Sequence, residues 1–109
     1  MEIKVTKLND YTVVAIKGRV DTMTAGDFES EITNVLEEGV SGLILDCSDL
    51  DYISSSGLRV FLVAQKNMMG KGGSLRLCCL KPEIKEIFDI SGFSSIFSIF
   101  PDIEKASSD

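Results

Sequence analysis

A chain of 109 residues with 44% hydrophobic side chains has the size and apolar content of one ordinary domain with one core. Its 17 acidic and 11 basic residues give a formal charge of -6, which argues against nucleic acid or an anionic membrane as the main partner and favours a basic partner surface. Histidine is absent, which excludes imidazole as a general base, a triad member or a metal ligand.

A hairpin and a helix are predicted for the first third of the chain. Residues 3–7 alternate in polarity and residues 11–17 are rich in β-branched side chains, with an Asn-Asp turn between the two segments. Residues 18–21 break this pattern, and a helix then extends to a stop at Gly39. The apolar face of this helix consists of Ala25, Phe28, Ile32, Val35 and Leu36.

A central strand and a second helix are predicted next. Residues 43–45 form a short, continuous apolar run, which is typical of a strand covered on both faces. The second helix follows three serines and ends at the glycine-rich residues 70–73, before another strand over residues 75–80. Its three- and four-residue spacing is defined by Leu58, Phe61, Leu62 and Gln65.

A third helix and a last strand complete the pattern. Pro82 suits a first helical turn, and Gly92 lies beyond the end of this helix. The apolar residues 96–100 predict a last short strand, after which residues 101–102 can open a final helical turn. We expect residues 105–109 to be a mobile tail.

These elements predict an α/β fold with a mixed sheet. An N-terminal hairpin comes first, parallel β-α crossovers follow, and the helices pack against the sheet. The chain has no internal repeat and no linker. We therefore expect one domain over residues 1–104.

The cysteine pattern bears on chemistry and location. Cys47, Cys78 and Cys79 lie in apolar runs without Cys-x-x-Cys spacing, so we interpret them as buried, reduced thiols that act as small hydrophobes. We accordingly predict no metal and no cofactor. No signal peptide and no stretch of membrane-spanning length is expected, and unpaired cysteines predict a cytoplasmic location.

The most informative segment is residues 46–59, where three serines and a glycine join an apolar strand to an amphipathic helix. The start of a helix has unpaired N–H groups and a partial positive charge, so it is a good place to hold a phosphate. The segment is either a capped turn or a chemical switch. Serine is a favoured helix cap whose loss costs about 1 kcal/mol, but three serines exceed what one cap needs.

The chain resembles the STAS domain of bacterial anti-sigma factor antagonists. The resemblance covers residues 1–104 and rests on the order of elements, on the break Gly18-Arg19-Val20-Asp21 and above all on Tyr52-Ile53-Ser54-Ser55-Ser56-Gly57-Leu58-Arg59. In that family the serine just before the glycine is phosphorylated, which identifies Ser56. The family often has an acidic residue two positions earlier, where this chain has Ser54.

The resemblance implies a partner-switching binding protein and not an enzyme. The unmodified form would bind an anti-sigma factor serine kinase and thereby release the sigma factor. Phosphorylation of Ser56 would block this binding, because a phosphate adds about -1.5 to -2 charges at a contact that was neutral. A PP2C-like phosphatase would reset the protein.

The residues around Ser56 are predicted to form the switch loop and the partner-binding surface. We expect Ser54 or Ser55 to cap the second helix, and Gly57 to let another backbone approach closely. Leu58 and Arg59 belong to the same segment, with Arg59 a solvated residue on the polar face of the helix.

Asp21 has two interpretations. It either caps the first helix through residues 22–24 or, as the resemblance implies, faces the serine loop. Met23, Met68 and Met69 are predicted to be packing residues, although exposed methionines near a loop can also form an adaptable interface.

Two alternatives remain open from the sequence. The first is a STAS module that acts as a scaffold or senses a small ligand within a sensory or transport assembly. The second is a serine hydrolase, against which the chain has neither a Gly-x-Ser-x-Gly elbow nor a histidine base. A serine-lysine arrangement stays possible, although nothing in the sequence directs Lys66 or Lys71 toward the loop.

Overall fold

The computed structural model describes residues 1–108. In this part of the chain a two-stranded hairpin is followed by three further strands that alternate with four α-helices, and a single 3-10 turn spans Phe93–Ser95. The elements are β1 (Glu2–Leu8), β2 (Tyr11–Val20), α1 (Ala25–Glu37), β3 (Gly42–Ile53), α2 (Ser55–Gly70), β4 (Ser74–Cys78), α3 (Pro82–Ser91), β5 (Ser98–Phe100) and α4 (Ile103–Ser107).

The sheet has the strand order β1-β2-β3-β4-β5. β1 pairs antiparallel with β2, whereas β3, β4 and β5 each pair parallel with the preceding strand. The predicted mixed α/β fold is therefore confirmed. Because the parallel strands share one direction, the carboxyl ends of β2 and β3 lie side by side, and both lead into helices at the same end of the sheet.

The main core lies between one face of the sheet and helices α1, α2 and α3. Its centre is aromatic: the ring of Phe61 on α2 lies 5.5 Å from that of Phe28 on α1 and 5.8 Å from that of Phe88 on α3, measured between centroids. All three side chains are fully buried. Four of the five apolar residues predicted for the first helix pack here, namely Phe28, Ile32, Val35 and Leu36, which explains why that amphipathic segment forms a helix.

The opposite face of the sheet is covered in part by α4. Ala106 is buried there with Tyr11 and Ile44, and the guanidinium of Arg76 donates to the carbonyl of Ala106 at 2.7 Å. The sequence indicated a mobile tail over residues 105–109, whereas the structure places residues 105–107 in a helix held by these contacts. Asp109 lies outside the described residues.

β3 is longer than the predicted run of residues 43–45 and extends to Ile53. In its second half every third residue is buried, namely Cys47, Leu50 and Ile53, and the residues between them are exposed, so the pattern departs from regular strand alternation. Two register shifts along β2 accompany this extension. The last strand is shorter than predicted, and Phe97 before it packs into the main core.

The thiols follow the prediction in part. Cys47 and Cys78 are buried, whereas Cys79 lies just beyond β4, is half-buried and has a φ of 65°. Among residues 1–108 no helix is both long and apolar enough to cross a membrane.

Candidate functional site at the start of helix α2

The candidate site lies where β2 and β3 end next to each other. The backbone N–H of Ser54 donates to the carbonyl oxygen of Val20 at 2.8 Å, which joins the last residue of β2 to the residue that begins the turn into α2. This bond holds the segment before α1 beside the serine segment. The pairing of parallel strands therefore brings together two motifs that lie far apart in the sequence.

Ser54 is the N-cap of α2. Its backbone is extended, and its hydroxyl oxygen accepts a hydrogen bond from the N–H of Gly57 at 3.3 Å. The carbonyl of Ser54 accepts the first helical bond, from the N–H of Leu58 at 2.9 Å. Of the two serines predicted as candidate caps, Ser54 is thus the one that caps the helix.

Ser55 and Ser56 form the first turn of α2. Within the described part of the chain, neither hydroxyl has a hydrogen-bond partner. Ser55 is exposed and Ser56 is half-buried. The N–H groups of these two residues have no acceptor inside the helix, and the first turn contains no acidic side chain. The N-terminus of α2 therefore has the positive end of the helix dipole and two serine hydroxyls without partners among residues 1–108.

Gly57 is required by packing inside this chain. A Cβ at this position would lie 2.7 Å from Cγ1 of Val20 and 2.8 Å from Cγ1 of Ile53, which is closer than carbon atoms normally approach. We predicted that glycine lets another backbone approach, and the backbone that does so is the end of β2, whose Val20 carbonyl oxygen would lie 3.2 Å from an added Cβ. Gly57 lets α2 begin directly against the sheet.

The carboxylate of Asp21 binds within its own loop. Its Oδ1 accepts hydrogen bonds from the N–H groups of Met23 at 2.9 Å and Thr24 at 3.1 Å. Burial alone would raise the pKa of Asp21, but these bonds, the Thr24 hydroxyl and the charge of Arg19 together lower it below the usual value. Of the two interpretations of Asp21, this geometry is closer to a cap, but the N–H groups that Asp21 accepts lie in the turn over residues 22–24 before α1, and Thr24, the N-cap of α1, makes no side-chain cap hydrogen bond.

Arg19 is a residue at this site that sequence reasoning missed. Its guanidinium lies 4.3 Å from the ring centroid of Tyr52, and its Nε lies 3.8 Å from Oδ2 of Asp21. Arg19 on β2 and Tyr52 on β3 are register partners. Strand alternation alone does not reveal this pair, because two register shifts precede it.

The other predicted site residues have different surroundings. Leu58 is only 9% exposed and packs in the main core, so it supports the segment from inside and has little area for a partner. Arg59 is exposed, as predicted, and pairs with Glu29 of α1 at 3.3 Å. Met23 is 86% exposed, so the expectation that it packs is wrong; Met69 is also exposed, whereas Met68 is buried.

Fold and site together define a small α/β domain whose two neighbouring helix starts differ. The segment before α1 carries the carboxylate of Asp21, and the first turn of α2 presents the hydroxyl of Ser56. Sequence comparison agrees with this class: the model of the STAS domain matches residues 2–106. The chain belongs to the STAS domain family.

Relatives extend this assignment. A candidate anti-sigma factor antagonist of Bordetella bronchiseptica, BtrV, is 38% identical over 99 residues, which cover 91% of this chain and 85% of that protein. The anti-sigma-B factor antagonist of Bacillus subtilis is 33% identical over 86 residues, or 79% of this chain and 78% of that protein.

The fold is also shared with a solved structure. The Bacillus cell fate determinant SpoIIAA in its phosphorylated form superimposes with a TM-score of 0.73 at 17% identity, covering 95% of this chain and 94% of that one. At this identity the likeness concerns the fold.

Proposed function

We propose that this chain is an anti-sigma factor antagonist that is switched off by phosphorylation of Ser56. In the unmodified state it binds an anti-sigma factor that is also a serine kinase, and the sigma factor is released. Phosphorylated chains no longer bind, and a PP2C-like phosphatase restores the active form. The protein acts by binding, in the cytoplasm, and the chemistry belongs to its partners.

The observation that supports this proposal most strongly is the state of the Ser56 hydroxyl. Ser54 already caps α2, so the hydroxyl of Ser56 is not needed to complete the helix. Ser56 is half-buried in the first turn of α2, and its hydroxyl has no hydrogen-bond partner among residues 1–108. A group with these properties can be modified without the loss of an existing bond.

A phosphate on Ser56 fits the local electrostatics. The first turn of α2 carries no acidic residue, so the dianion would lie at a helix start with unpaired N–H donors and no carboxylate within that turn. The fold is therefore expected to tolerate the modification. A partner that docks over this end would instead meet a new charge that it does not compensate.

The relatives support the choice of partner. Two of them, at 38% and 33% identity, are named as antagonists of anti-sigma factors, and SpoIIAA has been solved in a phosphorylated form. The exposed Met23 and Tyr52 beside the serine segment offer apolar area for such a contact.

The modification site is tested with an anti-sigma factor kinase of the same organism and ATP. We expect one phosphate per chain, placed on Ser56 by mass spectrometry. Labelling should disappear in Ser56→Ala and persist in Ser55→Ala, which removes the neighbouring hydroxyl. A phosphate that maps to another residue contradicts the assignment.

The electrostatic mechanism is tested by comparing Ser56→Asp with Ser56→Asn, which have nearly the same size but differ in charge. We expect Ser56→Asp to weaken binding of the anti-sigma factor roughly 100-fold, or about 2.7 kcal/mol, and Ser56→Asn to weaken it less than about tenfold. Calorimetric titration measures both affinities. Equal losses in the two variants would show that bulk at position 56, and not charge, blocks the contact.

A further inference from the structure

A second group of reactive side chains lies on the face of the sheet that α4 partly covers. The carboxylate of Asp46 and the thiols of Cys78 and Cys79 each offer one ligand atom, and these atoms all lie within 4.8 Å of one another. Asp46 on β3 and Cys78 on β4 are register partners, so they project from the same face of neighbouring parallel strands. Cys79 follows directly after β4.

The group can be reached from solvent. Asp46 and Cys79 are half-buried, while Cys78 beneath them is fully buried. The third thiol, Cys47, belongs to the main core on the opposite face of the sheet. Only two of the three cysteines therefore belong to the group.

The surroundings of the thiols favour a cation. Asp46 places a carboxylate oxygen within 4.8 Å of the sulfur atoms of both thiols. The negative charge of this carboxylate attracts a positive ion to the group. The nearest cation on β4, Arg76, donates to the carbonyls of Ala106 and Ser108.

The set of donor atoms is selective. Two sulfurs and one carboxylate oxygen suit a soft or borderline ion, whereas Mg²⁺ and Ca²⁺ prefer oxygen ligands alone. Zinc binds sulfur at about 2.3 Å and carboxylate oxygen at about 2.1 Å, so its tetrahedral ligands lie roughly 3.5–3.8 Å apart. The three donor atoms lie within 4.8 Å of one another, so they need to approach by only about 1 Å to reach this spacing.

We propose that Asp46, Cys78 and Cys79 form a Zn²⁺ site. Two zinc–sulfur bonds and one zinc–oxygen bond form, the two thiol protons pass to solvent, and water takes the fourth position. The ion joins β3, β4 and the connection to α3, so zinc stabilises the folded chain. This site is distinct from the start of α2 and independent of the function proposed above.

The proposal is tested by titrating the reduced, full-length chain with Zn²⁺ alone in competition with a chromogenic chelator. Co²⁺ serves as a spectroscopic substitute, because thiolate ligands give it a charge-transfer absorption. We expect one ion per chain, a thiolate absorption with Co²⁺, and a melting temperature that rises by roughly 10–20 °C when zinc exceeds its Kd about 100-fold.

Cys79→Gly is the decisive variant, because glycine suits the left-handed backbone at this position, where φ is 65°. The variant removes one ligand and the strain of a non-glycine residue in this backbone conformation, at the expense of one half-buried side chain. It should lose the thiolate absorption and the zinc-dependent rise in melting temperature. Cys47→Ala is the matched control, which removes a thiol on the other face and should retain both. Asp46→Asn should weaken zinc binding about 10- to 100-fold.

Three results overturn the proposal. The first is a wild-type chain that gives no thiolate absorption with Co²⁺. The second is an absorption of equal strength in Cys79→Gly. The third is an affinity for zinc that is the same in Asp46→Asn as in the wild type.

Discussion

Helices α1 and α2 begin side by side at the same end of the sheet, but their first turns are electrostatically different. Just before α1, the carboxylate of Asp21 accepts the N–H groups of Met23 and Thr24 in the turn that leads into the helix, and Asp27 lies in the first turn of α1. At α2, the neutral hydroxyl of Ser54 accepts a single N–H group, and the first turn contains no acid. Negative charge is built into one helix start and is absent from the other, which leaves α2 as the end that can receive a phosphate.

The largest difference in stability between changes at the two helix starts is expected when a glycine is replaced by alanine. Gly57→Ala places a methyl group against the side chains of Val20 and Ile53 and should lower the free energy of unfolding by about 1–3 kcal/mol. Gly26→Ala, near the start of α1, meets nothing within 4 Å and should raise it by about 0.5–1 kcal/mol. Urea unfolding of both variants measures the difference. A Gly57→Ala protein as stable as Gly26→Ala would show that α2 does not need its close contact with β2.

A smaller effect is expected when the cap of α2 is removed. Ser54→Ala leaves the N–H of Gly57 without its acceptor and should cost about 1 kcal/mol. Ser55→Ala is the control, since its hydroxyl has no partner among residues 1–108, and it should change stability by less than about 0.5 kcal/mol. Thermal unfolding distinguishes the two. If Ser55→Ala lost as much stability as Ser54→Ala, Ser54 would not be the residue that caps α2.

The smallest effect concerns the charge at α1 and depends on pH. The pKa of Asp21 in the folded state lies below its ordinary value of 3.8, so its charge stabilises the fold at neutral pH, and this contribution is lost as the pH falls through the folded-state pKa. Asp21→Asn retains an acceptor oxygen but not the charge. The difference in stability between wild type and Asp21→Asn should shrink from about pH 6 to about pH 2 in urea titrations. The cost of Ser54→Ala should be the same at both pH values, and a pH-dependent cost there would contradict the neutral cap.

The sequence predicted the features of this site that depend on neighbours along the chain. A serine at the first residue before a helix indicates a cap, and apolar spacing indicated the buried face of α1. The pair of Arg19 and Tyr52 could not be predicted, because it depends on register across two strands that contain shifts. The same limit applies to Asp46 and Cys78, which are adjacent only through strand pairing.

The packing around Gly57 shows a related limit. From the sequence, a glycine beside serines indicates room for an approaching group, but not which group approaches. The neighbours are Val20 and Ile53, whose positions follow from how β2 and β3 end. The sequence predicted that residues 101–102 open a final helical turn, and Asp102 is the N-cap of α4. The docking of this turn on the sheet could not be predicted, since five residues do not form a stable helix without the surface against which they pack.

The short helix α4 is expected to detach from the sheet more easily than the other elements unfold. A helix this short is not stable by itself, so its residence on the sheet depends on Ala106 and on the bonds from Arg76. Backbone amides of α4 should therefore exchange with solvent long before those of β3, without unfolding of the main core. Each such opening would bare the sheet face that contains Tyr11 and Cys78. We therefore expect this face of the sheet to become accessible to solvent for brief intervals while the main core stays folded.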